Sequence, residues 1–441
     1  MFETITRFIS NLIMTRLLFP EAFGVVTAAL ALVSGLTLIS DFGIHTLIIQ
    51  SPRGDQEDFL RSAWTFQLWR GVLLWIALCA LCAMLSISWI HDLIPVDSVF
   101  ADPFFPLITP VAGITLVLAG ATSTSLPLNT RRLSLRPQVT IDTACRIVGL
   151  AAMYTWALLA PSVWALVAGM LAGESLRVVL SHVVAPGPRM GFNWERGHLQ
   201  EIIRFGKWIT VSSTGTFVSQ QCNVIVLGIL LPGSTFGVYV IAKMLVDTAE
   251  GWLTRLGDTL ALPVLSEVVR KRPHDLQTQY YRFRLPIELA AGSLSGVLFV
   301  SGEFVVHFLY DQRYAQAGSM LQLLAIGLAI LPCNLIKNAF TAVGDTRVWA
   351  AVTTVQAVSV LLCMIAGFFI AGPLGAVAGL AVHRIIPSLM ILSLAGRRHW
   401  ISPWRELRIV PAFIVGVVAG KVAVSMVAAL GISNIAQLWK R

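Results

Sequence analysis

The sequence predicts an all-α polytopic membrane protein, and three observations lead there. Of 441 residues, 56% are hydrophobic and only 12% are charged, against about 25% charged in ordinary soluble domains. The mean hydropathy is +0.76. Apolar blocks long enough to cross about 30 Å of hydrocarbon recur along the whole chain, with short polar turns between them. The formal charge of +9 sits in those short connections, which is the pattern of a membrane orientation signal and not of a nucleic-acid-binding face. Nucleic acid is therefore set aside as a partner, and membrane lipid takes its place.

The elements follow in order. Residues 1–18 are short and mixed, with Glu3, Arg7, Asn11 and Met14 on one helical face. There is no basic leader and no small-residue cleavage site, so this helix is expected to be retained. It starts at its own membrane edge, from which a clipped turn or tail is expected. A second span, 25–49, places Thr27, Ser34, Asp41 and His45 on one face. Further spans are predicted at 63–89, 104–128, 139–160 and 162–184, followed by a basic cytoplasmic linker at 185–204. The second half reads as spans at 205–230, 236–267, 285–310, 319–343, 349–371, 374–396 and 409–430. That is about 13 crossings.

Alternate connections hold the basic residues, among them Arg131, Arg132, Arg270, Lys271, Arg397 and Arg398, while the others hold Arg313 with Asp92, Asp97 and Asp102. The positive-inside rule then puts the N-terminus in the cytoplasm. An odd number of crossings would leave Lys440 and Arg441 outside, so one more helix is expected beyond the C-terminus. Trp64, Trp69, Trp75, Trp89, Trp400 and Trp404 read mainly as interfacial anchors. The six cysteines are scattered. The close pair, Cys79 and Cys82, lies in an apolar run without polar partners, so both read as small hydrophobes and not as a metal or redox pair. Gly169/Gly173, Gly292/Gly296, Gly375/Gly379 and Gly416/Gly420 read as close helix packing.

An internal repeat supplies the architecture. The run from Leu17 to Val25, Leu-Leu-Phe-Pro-Glu-Ala-Phe-Gly-Val, recurs from Leu230 to Val238 as Leu-Leu-Pro-Gly-Ser-Thr-Phe-Gly-Val. Each copy precedes a comparable set of spans in the same orientation, so the halves read as parallel repeats. Two six-helix bundles, 1–184 and 205–396, are expected around a central cavity, with at least one additional C-terminal transmembrane helix at 409–430. Within 236–267, Lys243, Asp247, Glu250, Thr254 and Asp258 fall inside an arc of roughly 80° at about 100° per residue. Each ionisable group at bilayer depth costs about 2.5–3.5 kcal/mol, so this stripe is expected to face a bundle interior or a wet cavity.

The opening run Thr15 to Gly24, with Leu38-Ile39-Ser40-Asp41-Phe42-Gly43 and Ile48-Ile49-Gln50, resembles the start of the polysaccharide-synthesis flippases. These are the Wzx-type oligosaccharide transporters of the multidrug/oligosaccharidyl-lipid/polysaccharide exporter superfamily. Phe236-Gly237-Val238-Tyr239 and Leu321-Gln322-Leu323-Leu324-Ala325 look like the second-half pattern of the same family. The resemblance implies two bundles, commonly with two extra helices, that move an undecaprenyl-diphosphate-linked oligosaccharide across a bacterial inner membrane. It implies a transporter for surface polysaccharide synthesis, not an enzyme, working beside polymerase machinery and expected to be a monomer.

Such a cargo asks for cations and hydrogen-bonding groups inside the fold. Arg7, Arg146, Lys243, Lys337 and Arg384 are the cations within predicted spans; arginine grips phosphate with a fork, and lysine acts as a point charge. Ser212, Thr216, Ser219 and Asn223, with Gln220 beside them, form a neutral polar face suited to sugars. Lys243 and Asp247 are spaced i, i+4 and read as an ion pair. Glu250 has Val246 and Thr254 at i±4, so it and Asp247 are candidates to bind a coupling ion, H⁺ or Na⁺. Asp41 and His45, again i, i+4, are a second candidate, with a packed hydrogen bond as the plainer reading. Lys421 reads as snorkelling. No cofactor or metal motif is seen. A cation-coupled multidrug exporter is the first alternative, disfavoured by the basic lean of the intramembrane charges. A polysaccharide polymerase or ligase is the second, disfavoured by the short outer connection at 91–103.

Overall fold

The computed structural model describes residues 2–87 and 95–429. Within them it is built from helices, with one isolated bridge between Ser98 and Pro232. Trp89, Asp92, Lys440 and Arg441 lie outside the described residues, as do the side chains of Arg7, Ser219, Gln220 and Asp258.

Several predicted spans are single helices: Glu57–Leu85, Arg136–Leu159, Trp164–Val183, Gly233–Lys271, Leu276–Leu309 and Ile409–Ala429. Others are broken. The span expected at 25–49 is two helices, Pro20–Ile39 and Ile44–Gln50, because Gly43 at φ +62° turns the chain between them. The span at 104–128 bends by 54° between Phe105–Ala121 and Ser125–Arg131. The span at 205–230 divides into Arg196–Gln220 and Cys222–Leu230. The span at 319–343 runs through Ala317–Ile330, a 3-10 stretch Leu331–Ile336, and Lys337–Ala342.

By length and composition, seven helical stretches among the described residues can cross a membrane, or eight if the bent pair counts as one. That is fewer than the expected number, in part because Arg347–Arg397 is one stretch of 51 residues. At about 1.5 Å per residue it is far longer than one crossing needs. It holds a fold-back: Gly372 takes φ +61° and ψ −143° just before Pro373, within Thr346–Val382. The two arms touch at glycines, since a Cβ on Gly375 would lie 2.0 Å from the Gly367 carbonyl oxygen. The helices Arg136–Leu159, Arg196–Gln220 and Gly233–Lys271 are not among those seven stretches.

The glycine pairs do pack helices closely. A Cβ on Gly416 would meet the Ser293 carbonyl oxygen at 2.1 Å, and one on Gly169 the Gly149 carbonyl oxygen at 2.8 Å. Without a hydrophobic drive between helices in lipid, such backbone approach supplies much of the association.

Two compact units result, Leu17–Gly233 and the combination of Met1–Arg16 with Ser234–Arg441. The bundle limits read from the repeat, 1–184 and 205–396, follow sequence similarity, whereas these units follow packing. In the first unit, helices Arg196–Gln220 and Cys222–Leu230 pack on Pro20–Ile39, with Gly35 against the Phe217 ring. In the other, Asn11 donates from Nδ2 to the Met244 sulfur, and Arg313 donates to the Arg16 carbonyl at 3.3 Å.

Candidate functional site

The unit that holds Ser234–Arg441 has a partly open cavity of about 180 Å³. Glu250 and Thr254, one turn apart on Gly233–Lys271, form one wall. Asn334, Lys337 and Asn338 come from the irregular segment that follows Ala317–Ile330. Trp349 and Gln356, two turns apart on Thr346–Val382, close a third side, and Arg384 completes it.

Local structure explains the convergence. The 3-10 stretch changes the helical phase just before Lys337. Arg384 stands in the turn between Thr346–Val382 and Ile385–Arg397, as the N-cap residue of the latter. Its Nη2 donates to Glu250 Oε2 at 2.8 Å, with both side chains about three-quarters buried. The Lys337 ammonium lies 5.7 Å from the centre of the Trp349 ring. Two cations, one carboxylate, three amides, a hydroxyl and an indole therefore line a single cavity. The Asn334 Oδ1 is buried and has no hydrogen-bond partner among the described residues.

The structure divides the residues singled out in the sequence. Glu250, Lys337 and Arg384 meet in the cavity, although Glu250 and Arg384 are 134 residues apart. Lys243 and Asp247 pair with each other along one helix face, as their spacing predicts. Asp41, His45, Arg146, Ser212, Thr216 and Asn223 belong to the other unit.

There Asp41 and His45 do not share a continuous helix, because the break at 40–43 separates them. Asp41 Oδ1 accepts from the Gly43 amide at 2.8 Å, and Oδ2 accepts from Ser213 Oγ at 3.2 Å. His45 is exposed. The expected polar face of Ser212, Thr216 and Asn223 is interrupted at Gln221, and Thr216 donates back to the Ser212 carbonyl at 3.2 Å. Asn223 is buried, with Oδ1 unpartnered among the described residues. Arg146 is half-buried on Arg136–Leu159, the helix on which Asp142 pairs with Arg177 at 2.9 Å.

Two groups escaped the sequence reading. Asn334, Lys337 and Asn338 are spaced i, i+3, i+4 in an apolar stretch, a polar stripe legible from the spacing. Arg284 and Glu288 are fully buried. Arg284 pairs with Glu406 and accepts company from Tyr280, to whose hydroxyl it donates at 3.1 Å, while Tyr281 donates to Glu406 at 2.6 Å. Arg284 falls at the edge of an apolar run, where an arginine reads as solvent-facing.

The helix-only, glycine-packed arrangement with a polar cavity inside an apolar unit is that of a multi-pass membrane transporter. Among solved structures, the lipid II flippase MurJ in its inward closed conformation shares the fold, with a TM-score of 0.69 at 12% identity over 97% of each chain. A multidrug resistance MATE family transporter of the MOP superfamily, inward-facing, gives 0.60 at 12% identity over 91% of this chain and 94% of its own. Residues 13–319 match the family model for polysaccharide biosynthesis proteins, and the chain belongs to that family. Relatives include the succinoglycan biosynthesis transport protein ExoT of Rhizobium meliloti, 22% identical over 79% of this chain and 69% of its own length. The lipopolysaccharide biosynthesis protein WzxC of Escherichia coli is 20% identical over 89% of this chain and 79% of its own.

Proposed function

We propose that the chain is a flippase that carries a polyprenyl-diphosphate-linked oligosaccharide across the bacterial inner membrane for surface polysaccharide synthesis. The N-terminus is cytoplasmic, the protein acts as a monomer beside polymerase machinery, and the two repeats alternate access under coupling to H⁺ or Na⁺. Family membership over residues 13–319 supports the class of activity. The observation that carries the reading is the cavity that joins Lys337, Arg384 and Glu250 to amides and the Trp349 ring.

Its chemistry suits an anionic glycolipid head. Arg384 has a planar fork that matches phosphate oxygens, and Lys337 adds a mobile point charge. Amides and an indole suit sugar hydroxyls and ring faces, and remain serviceable when the sugar varies. Arg7, Arg146 and Lys243 serve the same anion elsewhere on its path, with Ser212, Thr216, Ser219, Gln220 and Asn223 as sugar contacts.

The Arg384–Glu250 pair also offers a coupling device. An arriving diphosphate competes with Glu250 for the guanidinium. A carboxylate that loses its partner in a buried site must be neutralised, by a proton or by Na⁺. Cargo and ion thus exchange at one arginine, with Asp247 as the adjacent carboxylate. Asp41 and His45 would serve as a second ion site in the other unit. The multidrug-exporter reading fits less well, since an organic cation would enter a lining with two cations against one carboxylate.

Deleting the gene tests this. Lipid-linked oligosaccharide is expected to accumulate on the cytoplasmic face, with rescue by the wild type and not by Lys337→Ala. Absence of accumulation would refute the flippase reading, and full rescue by the variant would refute the site.

A further inference from the structure

The unit Leu17–Gly233 carries a second concavity that the transport reading does not use. It is an open groove of about 610 Å³ between the end of Ile44–Gln50 and the first turns of Arg196–Gln220. Leu47, Phe205, Trp208 and Ile209 make its apolar wall, and Gln50, Ser51, Glu201 and Arg204 its polar end.

The helix Arg196–Gln220 explains the two-sidedness. Gly206, Ile209, Thr210 and Ser213, spaced i, i+3, i+4 and i+7, lie on the turn at 40–43: Gly206 against Phe42, Ile209 against Gly43, and the two hydroxyls on Asp41. The neighbouring face, with Ile203, Arg204, Lys207, Trp208 and Val211, is left exposed, Trp208 by 72%. This face sits where the charged first turns of the helix give way to an uncharged stretch, residues 208–220. Tryptophan beside lysine and arginine is the side-chain set of a membrane–water boundary.

Charge completes the argument. Glu201, the groove's carboxylate, is occupied: Ser51 Oγ donates to it at 2.8 Å, and Arg53 lies 3.5 Å away. Arg204 has no ion-pair partner among the described residues, and the Lys207 ammonium sits 5.5 Å from the centre of the Trp208 ring. An arginine at the polar end and an apolar wall running from it fit an amphiphile with an anionic head. A soluble anion would leave the Phe205 and Trp208 wall against water.

We propose that this groove binds an anionic phospholipid of the surrounding leaflet, with the phosphodiester on Arg204 and Gln50 and an acyl chain along Phe205, Trp208 and Ile209. The site is distinct from the cargo cavity and does not depend on which substrate is moved.

The test uses the full chain in lipid nanodiscs containing phosphatidylglycerol or phosphatidylcholine with brominated acyl chains. The readout is the fluorescence quenching that Trp208→Phe removes. Brominated phosphatidylglycerol is expected to quench at a mole fraction lower by about 5-fold or more, the preference that one cation near the membrane surface gives. Arg204→Gln should abolish that preference, while Arg204→Lys, which keeps the charge, should retain it. Equal quenching by the two lipids, or a preference unchanged in Arg204→Gln, would overturn the proposal. Displacement of the brominated lipid by polyprenyl diphosphate, and not by unlabelled phosphatidylglycerol, would overturn it in favour of a substrate subsite.

Discussion

Asp41 and Glu250 both follow a copy of the repeated Phe-Gly-Val turn, and both are acids inside apolar segments, yet the two halves use them differently. Asp41 sits in a break. Its oxygens hold the Gly43 amide and the Ser213 hydroxyl, and the Thr210 hydroxyl donates to its carbonyl at 2.8 Å. Its hydrogen-bond partners are neutral: the Gly43 amide two residues on, and two hydroxyls from the helix Arg196–Gln220. Glu250 sits on an unbroken helix of 39 residues and is held by a guanidinium across a cavity. One carboxylate shapes the backbone, and the other lines a polar cavity of about 180 Å³.

The comparison can be broken most severely at Arg384. A hydrogen bond to a charged group is worth about 1.5–3 kcal/mol, so Arg384→Gln should lower the flipping rate by about 10- to 100-fold in reconstituted vesicles. An unchanged rate would mean that the cavity is only packing. Trp349→Ala should act next, by about 5- to 30-fold, because the cation–π contact with Lys337 and one stacking face are lost, each worth about 1 kcal/mol. The expected signature is weaker apparent affinity for cargo with little change in thermal midpoint.

On the Asp41 side, effects should appear in stability and not in coupling. Gly43→Ala forces a side chain into the left-handed region, where the added Cβ also meets the Ile209 side chain at 2.1 Å. A loss of about 1–2 kcal/mol is expected, read as a lower unfolding midpoint. His45→Gln should be the mildest, within about 0.5 kcal/mol, since an exposed side chain past the break has little to lose.

How far the sequence could be read follows a divide between local and distant causes. Hydrophobic blocks, the Lys243–Asp247 pair and the glycine seams depend on spacing along one helix, and all were visible. The fold-back was marked by Gly372-Pro373. The break at 40–43 was also signalled, by an aspartate two residues before a glycine, but the apolar run across it overrode the turn. What could not be read was pairing across the chain. Nothing local to Glu250 names Arg384, and nothing near Arg284 names Glu406, 122 residues on. Such contacts are set by which helices pack, and spacing within a helix is silent about that.

The most direct measurement compares Glu250→Gln with Asp41→Asn in proteoliposomes under imposed H⁺ and Na⁺ gradients. The amide of Asp41→Asn keeps an oxygen for the Gly43 amide, so flipping should retain its rate and its dependence on the gradient. Glu250→Gln cannot exchange an ion for Arg384, so flipping should lose its dependence on the gradient. Full rate with unchanged gradient dependence in Glu250→Gln would contradict the assignment of coupling to the Arg384–Glu250 pair.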